Sequence, residues 1–163
     1  MTEAEILRYR KRGLLIDSNL LLLYFVGSHD PKQLPKFKRT AAYLPEDYTL
    51  LVEFMGQFER VVTTPHILTE VSNLAGQLAE PVKSAVFANL RTGIKLLEER
   101  FHASTALSAS PEFARFGLTD LAVLHEARGQ LLVLTDDFRL SQYLQHANLA
   151  AINFNHLRFF DLT

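Results

Sequence analysis

Hydrophobic residues fall along this chain in short unbroken runs separated by longer stretches with helical spacing. Gly13-Leu14-Leu15-Ile16-Asp17 is apolar without alternation, the pattern of a strand buried on both faces, and it ends in an acid. Residues 18–26 read as a helix closed by Gly27, and 28–44 are irregular, punctuated by Pro31, Pro35 and Pro45. Pro45 opens a helix with Leu50, Leu51, Phe54 and Phe58 on one face. Arg60–Thr64 is a second strand. Thr64-Pro65 then has N-cap and first-turn chemistry for a helix to about Ala79. Pro81 starts another helix, with Val82, Val86, Leu90, Ile94 and Leu97 aligned. Phe101–Ser104 is a weak third strand, and Pro111–Phe116 is a short helix stopped at Gly117. Thr119-Asp120 opens a helix ending at Gly129. Leu131–Thr135 is a fourth strand, Asp136-Asp137 starts the next helix, and Ala150–Phe154 is a fifth strand.

Strands alternating with helices imply βαβ crossovers, hence an α/β fold with a parallel sheet covered by helices on both faces. Such sheets bind ligands beyond the carboxyl ends of their strands. The polar residues just after each strand are therefore the ones to inspect.

Composition narrows the chemistry. The 163 residues suit one domain, 1–163, and their 48% hydrophobic content supports a core. There is no cysteine, which excludes disulfides, Cys-bound zinc, iron–sulfur clusters and thiol nucleophiles, and is compatible with a reducing cytosol. The N-terminal stretch is acidic at Glu3 and Glu5 and basic at Arg8, Arg10, Lys11 and Arg12, the wrong order for an export signal. The longest apolar run, Leu20 to Val26, is far short of a membrane span of ~20 residues. A cytoplasmic protein without membrane contact is the expectation. Net charge is −1, but residues 1–39 carry eight Lys/Arg against four acids, and the remainder is acidic. That asymmetry suits a phosphate-attracting rim beside an anionic site, and equally an ordinary solvated face.

Acids recur where the fold would place a site. Asp17 ends the first strand, and Asp136 and Asp137 follow the fourth. Asp120 and Glu70 lie near the starts of helices that begin at the same edge. Each has a plain structural reading as a helix cap, a first-turn acid or a solvated side chain. Together they bring carboxylates from four elements to one edge, with no Lys or Arg adjacent in sequence and only Arg139 close. Two like charges 4 Å apart repel by about 4 kcal/mol at an effective dielectric near 20, and a bound cation relieves this. Oxygen ligands without cysteine select Mg²⁺ or Mn²⁺, ions suited to phosphoryl chemistry. Asn19, two residues past Asp17, is placed to hold that carboxylate, and Thr135 to hold Asp137 or a water. His66 and Glu70 share a helix face, but the histidine is left outside the site. Zinc-protease, P-loop and dinucleotide motifs are absent.

Four segments, in order, resemble the PIN-domain family: Leu14-Leu15-Ile16-Asp17-Ser18-Asn19-Leu20, Thr64-Pro65-His66-Ile67-Leu68-Thr69-Glu70, Gly117-Leu118-Thr119-Asp120-Leu121-Ala122 and Leu132-Val133-Leu134-Thr135-Asp136-Asp137-Phe138. The resemblance spans about 13–155. It implies a Rossmann-like five-stranded sheet of order 3-2-1-4-5 and a metal-dependent ribonuclease leaving 3′-hydroxyl and 5′-phosphate ends. Asp17, Glu70, Asp120 and Asp137 would be its metal-binding, catalytic acids, supported by Asn19 and Thr135. Asp136 would be a fifth ligand or a cap. Many bacterial members are toxins of toxin–antitoxin pairs (VapC-type), commonly dimeric and bound by an antitoxin protein; others process RNA. Here an N-terminal extension and an enlarged 27–60 segment depart from a minimal toxin. That segment carries Lys36-Phe37-Lys38-Arg39, basic groups flanking an aromatic, as a candidate RNA-binding surface. Helices with Leu21–Phe25 and Phe54–Phe58 are candidate patches for a homodimer, with core burial the competing reading.

Two other readings compete. A haloacid-dehalogenase-like phosphatase shares the Asp after the first strand but needs a second Asp two residues on, where this chain has Asn19. A non-catalytic RNA- or protein-binding PIN scaffold would not need all four acids.

Overall fold

Leu14–Ile16 form the central strand, β1, with every side chain buried, as expected of an apolar run covered on both faces. The computed structural model describes residues 3–160; Met1, Thr2 and 161–163, the ends of the expected single domain, lie outside the described residues. β1 is flanked by β2 (Val61–Thr63) on one side and β4 (Leu132–Thr135) on the other. β3 (Glu98–Glu99) and β5 (Ala151–Asn153) close the two edges. The sheet is parallel throughout, in the order β3-β2-β1-β4-β5, with Leu15 aligned to Val62 and to Val133.

Parallel pairing obliges each connection to cross back over the sheet, and helices make those crossings. In chain order the helices are α1 (Glu3–Leu7), which precedes β1, then α2 (Ser18–His29), α3 (Pro45–Met55), α4 (Pro65–Ala75) and α5 (Val82–Gly93). They continue with α6 (Ser104–Ser108), α7 (Phe113–Arg128), α8 (Phe138–His146) and, after β5, α9 (Phe154–Phe160). The result is the three-layer α/β architecture expected from the alternation of runs. α2 is buried almost all round, which is why its leucines are consecutive rather than spaced. Among the described residues, no helix is long and apolar enough to cross a membrane.

Several local expectations are corrected. Gly27 does not close α2, which runs on to His29. That glycine is a point of close approach: a Cβ there would collide with the Tyr48 ring on α3. The third strand lies at Glu98–Glu99, not at 101–104. As an edge strand it pairs on one side only, so it tolerates the polar residues that hide it from an apolar pattern. Ser104 instead starts α6. The helix from Pro65 ends at Ala75, short of Ala79. Gly117, at φ 74° and ψ −178°, bends α7 sharply, so the chain re-enters helix just before Asp120. Leu21, Leu22, Leu23, Phe25, Phe54 and Phe58 are buried within the single chain's core, so they offer no dimerisation patch.

The enlarged segment after α2 is ordered against the end of the chain. Arg158 on α9 donates to Asp47 Oδ1 at 2.7 Å and to the Ala42 carbonyl at 2.9 Å. This holds Tyr43 close to the carboxyl edge of the sheet, where its hydroxyl reaches Asp136.

Candidate functional site

The strand ends set the site. β1 stops at Ile16, and Asp17 caps α2 by accepting the Leu20 N–H at Oδ1, 3.1 Å away. β4 stops at Thr135, and Asp137 caps α8 by accepting the Leu140 N–H at 3.0 Å. The cap is therefore Asp137, where the sequence suggested Asp136 with Asp137 in the first turn. α4 leaves β2 at the same edge and carries Glu70 in its second turn, while α7 after its bend presents Asp120. Asp17, Glu70, Asp120 and Asp137 all line one cavity of about 310 Å³.

Asp17 is the fixed member. It is buried, and its Oδ2 accepts the Thr135 hydroxyl and the Asp136 N–H, the latter at 3.1 Å. Thr135 Oγ1 in turn accepts the Asp137 N–H at 2.9 Å, so one hydroxyl aligns both capping acids. Thr135, expected to hold Asp137 or a water, instead donates to the Asp17 carboxylate and meets Asp137 only at its backbone N–H. Burial and the neighbouring Asp136 charge hold the Asp17 carboxyl well above the usual range, outweighing the three hydrogen bonds that pull it down. Asp120 is pushed up to about 6 by burial and by the charges of Asp137 and Glu70, with Arg139 opposing. Glu70 is exposed and accepts the Ser18 hydroxyl at 3.0 Å; Asp137 is also exposed.

Consecutive residues at a strand end diverge, and Asp136 and Asp137 do so here. Asp136 does not line the cavity. Its carboxylate accepts Asn19 Nδ2 at 3.2 and 3.4 Å and the Tyr43 hydroxyl. Asn19 therefore supports Asp136, not Asp17 as the spacing suggested. Tyr43 had no signal in the sequence, since only the fold of the enlarged segment brings it here. Ser18 sits inside the first motif, but its bond to Glu70 depends on α2 packing beside α4.

Lys36, Lys38 and Arg39 are exposed and stand apart from the cavity, with Arg39 Nε donating to Gln77 Oε1 at 2.8 Å beyond the far end of α4. Phe37 between them is buried in the core, so no stacking surface forms on that aromatic. His66 lies in a larger hollow of about 630 Å³ that adjoins the acidic cavity through Glu70, Leu118 and Thr119. Its Nε2 is 3.1 Å from Ser104 Oγ, and its buried Nδ1 finds no partner among the described residues.

The donor set suits a hard divalent cation in kind: four carboxylates, no sulfur, and negative charge that the fold leaves largely uncompensated. Three of the roughly four lone-pair sites of Asp17 are occupied by hydrogen bonds, leaving one for an ion. Among the described residues, no three acidic or imidazole side chains are already drawn together as metal ligands. Binding would draw these carboxylates closer together than they stand. Compared with models of known protein families and with curated proteins, the chain matches none.

Proposed function

We propose that this protein is a Mg²⁺- or Mn²⁺-dependent endoribonuclease of PIN type, hydrolysing RNA at the four-carboxylate cavity. One observation carries the reading: acids from four separate elements converge on a single cavity at the carboxyl edge of a parallel sheet. A fold keeps mutually repelling carboxylates together, two of them (Asp17 and Asp120) partly or wholly desolvated, at a cost in stability, and function is the usual reason for retaining them.

In this reading Asp17 is the anchor, since its three hydrogen bonds fix its orientation. Asp120 and the more exposed Glu70 and Asp137 complete the ligand set. When bound, the cation supplies Lewis acidity toward water and the phosphate oxygens. Water adds to phosphorus, the P–O3′ bond breaks, and 3′-hydroxyl and 5′-phosphate ends result. Thr135 keeps Asp17 and the Asp137 backbone in register. Asp136, held by Asn19 and Tyr43, buttresses Asp17 through its N–H and is not a ligand. The lack of cysteine fits work in the reducing cytoplasm. Membership of a toxin–antitoxin pair, with an antitoxin partner and a dimer, belongs to the same proposal through the four PIN-like segments.

The test is cleavage of a mixed single-stranded RNA panel in Mn²⁺ or Mg²⁺, with EDTA as control, by the wild type and Asp17→Asn. Metal-dependent cutting lost in the variant is expected. Cutting that persists in EDTA or in Asp17→Asn refutes it.

A further inference from the structure

The 630 Å³ hollow beside the acidic cavity lies between α4 and the segment 101–104. Phe101 borders it and is 79% exposed. One exposed aromatic is unremarkable by itself; the way this one is held is informative. Its neighbour Arg100 is anchored by its N–H to the Thr63 carbonyl at 2.9 Å, by its guanidinium to Glu98 at 2.9 and 3.0 Å, and to Glu126 Oε2 at 2.7 Å. Its other neighbour, His102, has Nε2 2.5 Å from Glu126 Oε1. Glu126 is buried on α7 and grips both flanking residues at once. The two anchored side chains point inward and the ring between them is presented outward. The backbone on either side of the ring is thereby held in place, so less of it has to be ordered when something stacks on Phe101.

We propose that this hollow receives a nucleobase of single-stranded RNA, with Phe101 as its stacking platform. The proposal deepens the nuclease reading and rests on it for the choice of strand. Because Glu70, Leu118 and Thr119 belong to both cavities, a strand whose phosphate sits among the carboxylates would bring an adjacent base to the hollow. A base offers a π-face and a hydrogen-bonding edge. The hollow offers the Phe101 ring, and Asn73, Thr69 and Ser104 bring amide and hydroxyl groups to its wall. Glu126 is a positioning residue, acting only through Arg100 and His102.

The chain has no tryptophan, so Phe101→Trp places its sole indole at the platform. Titrating that variant in EDTA with a short mixed-sequence single-stranded RNA should quench its fluorescence. Phe101→Ala, at an exposed position that does not threaten folding, should bind the same RNA about 5- to 150-fold more weakly, the range of one lost base–aromatic stack. In Mn²⁺ its KM should rise by more than its kcat falls. Undiminished binding by Phe101→Ala, no quenching in Phe101→Trp, or no RNA binding by the wild type overturns the proposal and leaves the hollow to another occupant, such as a protein segment. Binding is read without cleavage, so the two readings fail separately. Phe101-dependent binding without cleavage in Mn²⁺ keeps the subsite and sinks the nuclease. Cleavage with Phe101-independent binding does the reverse.

Discussion

Asp120 carries a charge that the folded protein tolerates poorly, and replacing it with asparagine should stabilise the fold while removing function. Its carboxyl rises from 3.8 to about 6 because burial and the charges of Asp137 and Glu70 disfavour ionisation. The folded chain therefore holds this proton until about pH 6, whereas the unfolded chain releases it near 3.8. Ionisation costs the folded state nothing below the lower value and its full penalty above the higher one. At 1.36 kcal/mol per pH unit the ceiling is about 3 kcal/mol, and the partial exposure of Asp120 reduces it to about 1–2 kcal/mol. For a domain of this size that is a rise in Tm of about 2–8 °C. Thermal unfolding of Asp120→Asn and wild type in EDTA should show this gain near pH 7.5 and only a small remnant of it near pH 4. Added Mn²⁺ should then raise the wild type's Tm more than the variant's, since only an ion that binds the folded state stabilises it. A variant no more stable than wild type near pH 7.5, or equally stabilised at both pH values, would refute the electrostatic account.

Other expectations follow from single contacts. Gly27→Ala replaces a poor helix former with the best one, yet should destabilise by about 1–3 kcal/mol in urea unfolding, because the added methyl meets the Tyr48 ring. Asp137→Asn should abolish RNA cleavage, whereas Asp136→Asn should retain most of it, since only Asp137 faces the cavity; equal losses would contradict that division. Thr135→Val removes the hydroxyl shared by Asp17 and the Asp137 N–H and should cost about 1–3 kcal/mol, with Thr135→Ser recovering most of it, as read by urea midpoints.

Legibility in the sequence followed physical cause. β1 and β4 are buried on both faces, so their apolar runs announce them, and the acids at their ends come with them. Glu98–Glu99 pairs on one side at the sheet edge and needs no apolar pattern, so no run marks it. Gly27 looks like a helix stop because spacing cannot reveal that another helix presses against it. Asp17, Glu70, Asp120 and Asp137 were legible because each position follows from which end of an element faces the carboxyl edge. Partnerships between elements were not: Asn19 meets Asp136 rather than Asp17, Ser18 meets Glu70, and Tyr43 arrives from the enlarged segment. Phe37 illustrates the opposite error, since an aromatic among basic residues resembles a binding surface until its ring is found in the core.

The most direct test of the central claim is calorimetric titration of Mn²⁺ into the wild type, Asp17→Asn and Glu70→Gln, at a pH near 7.5 where the folded variants can be compared. A saturable site in the wild type, weakened in both variants in parallel with RNA cleavage, is the expected result. A wild type that binds no Mn²⁺, or variants that bind it as tightly as the wild type, would contradict the claim that these carboxylates form one catalytic cation site.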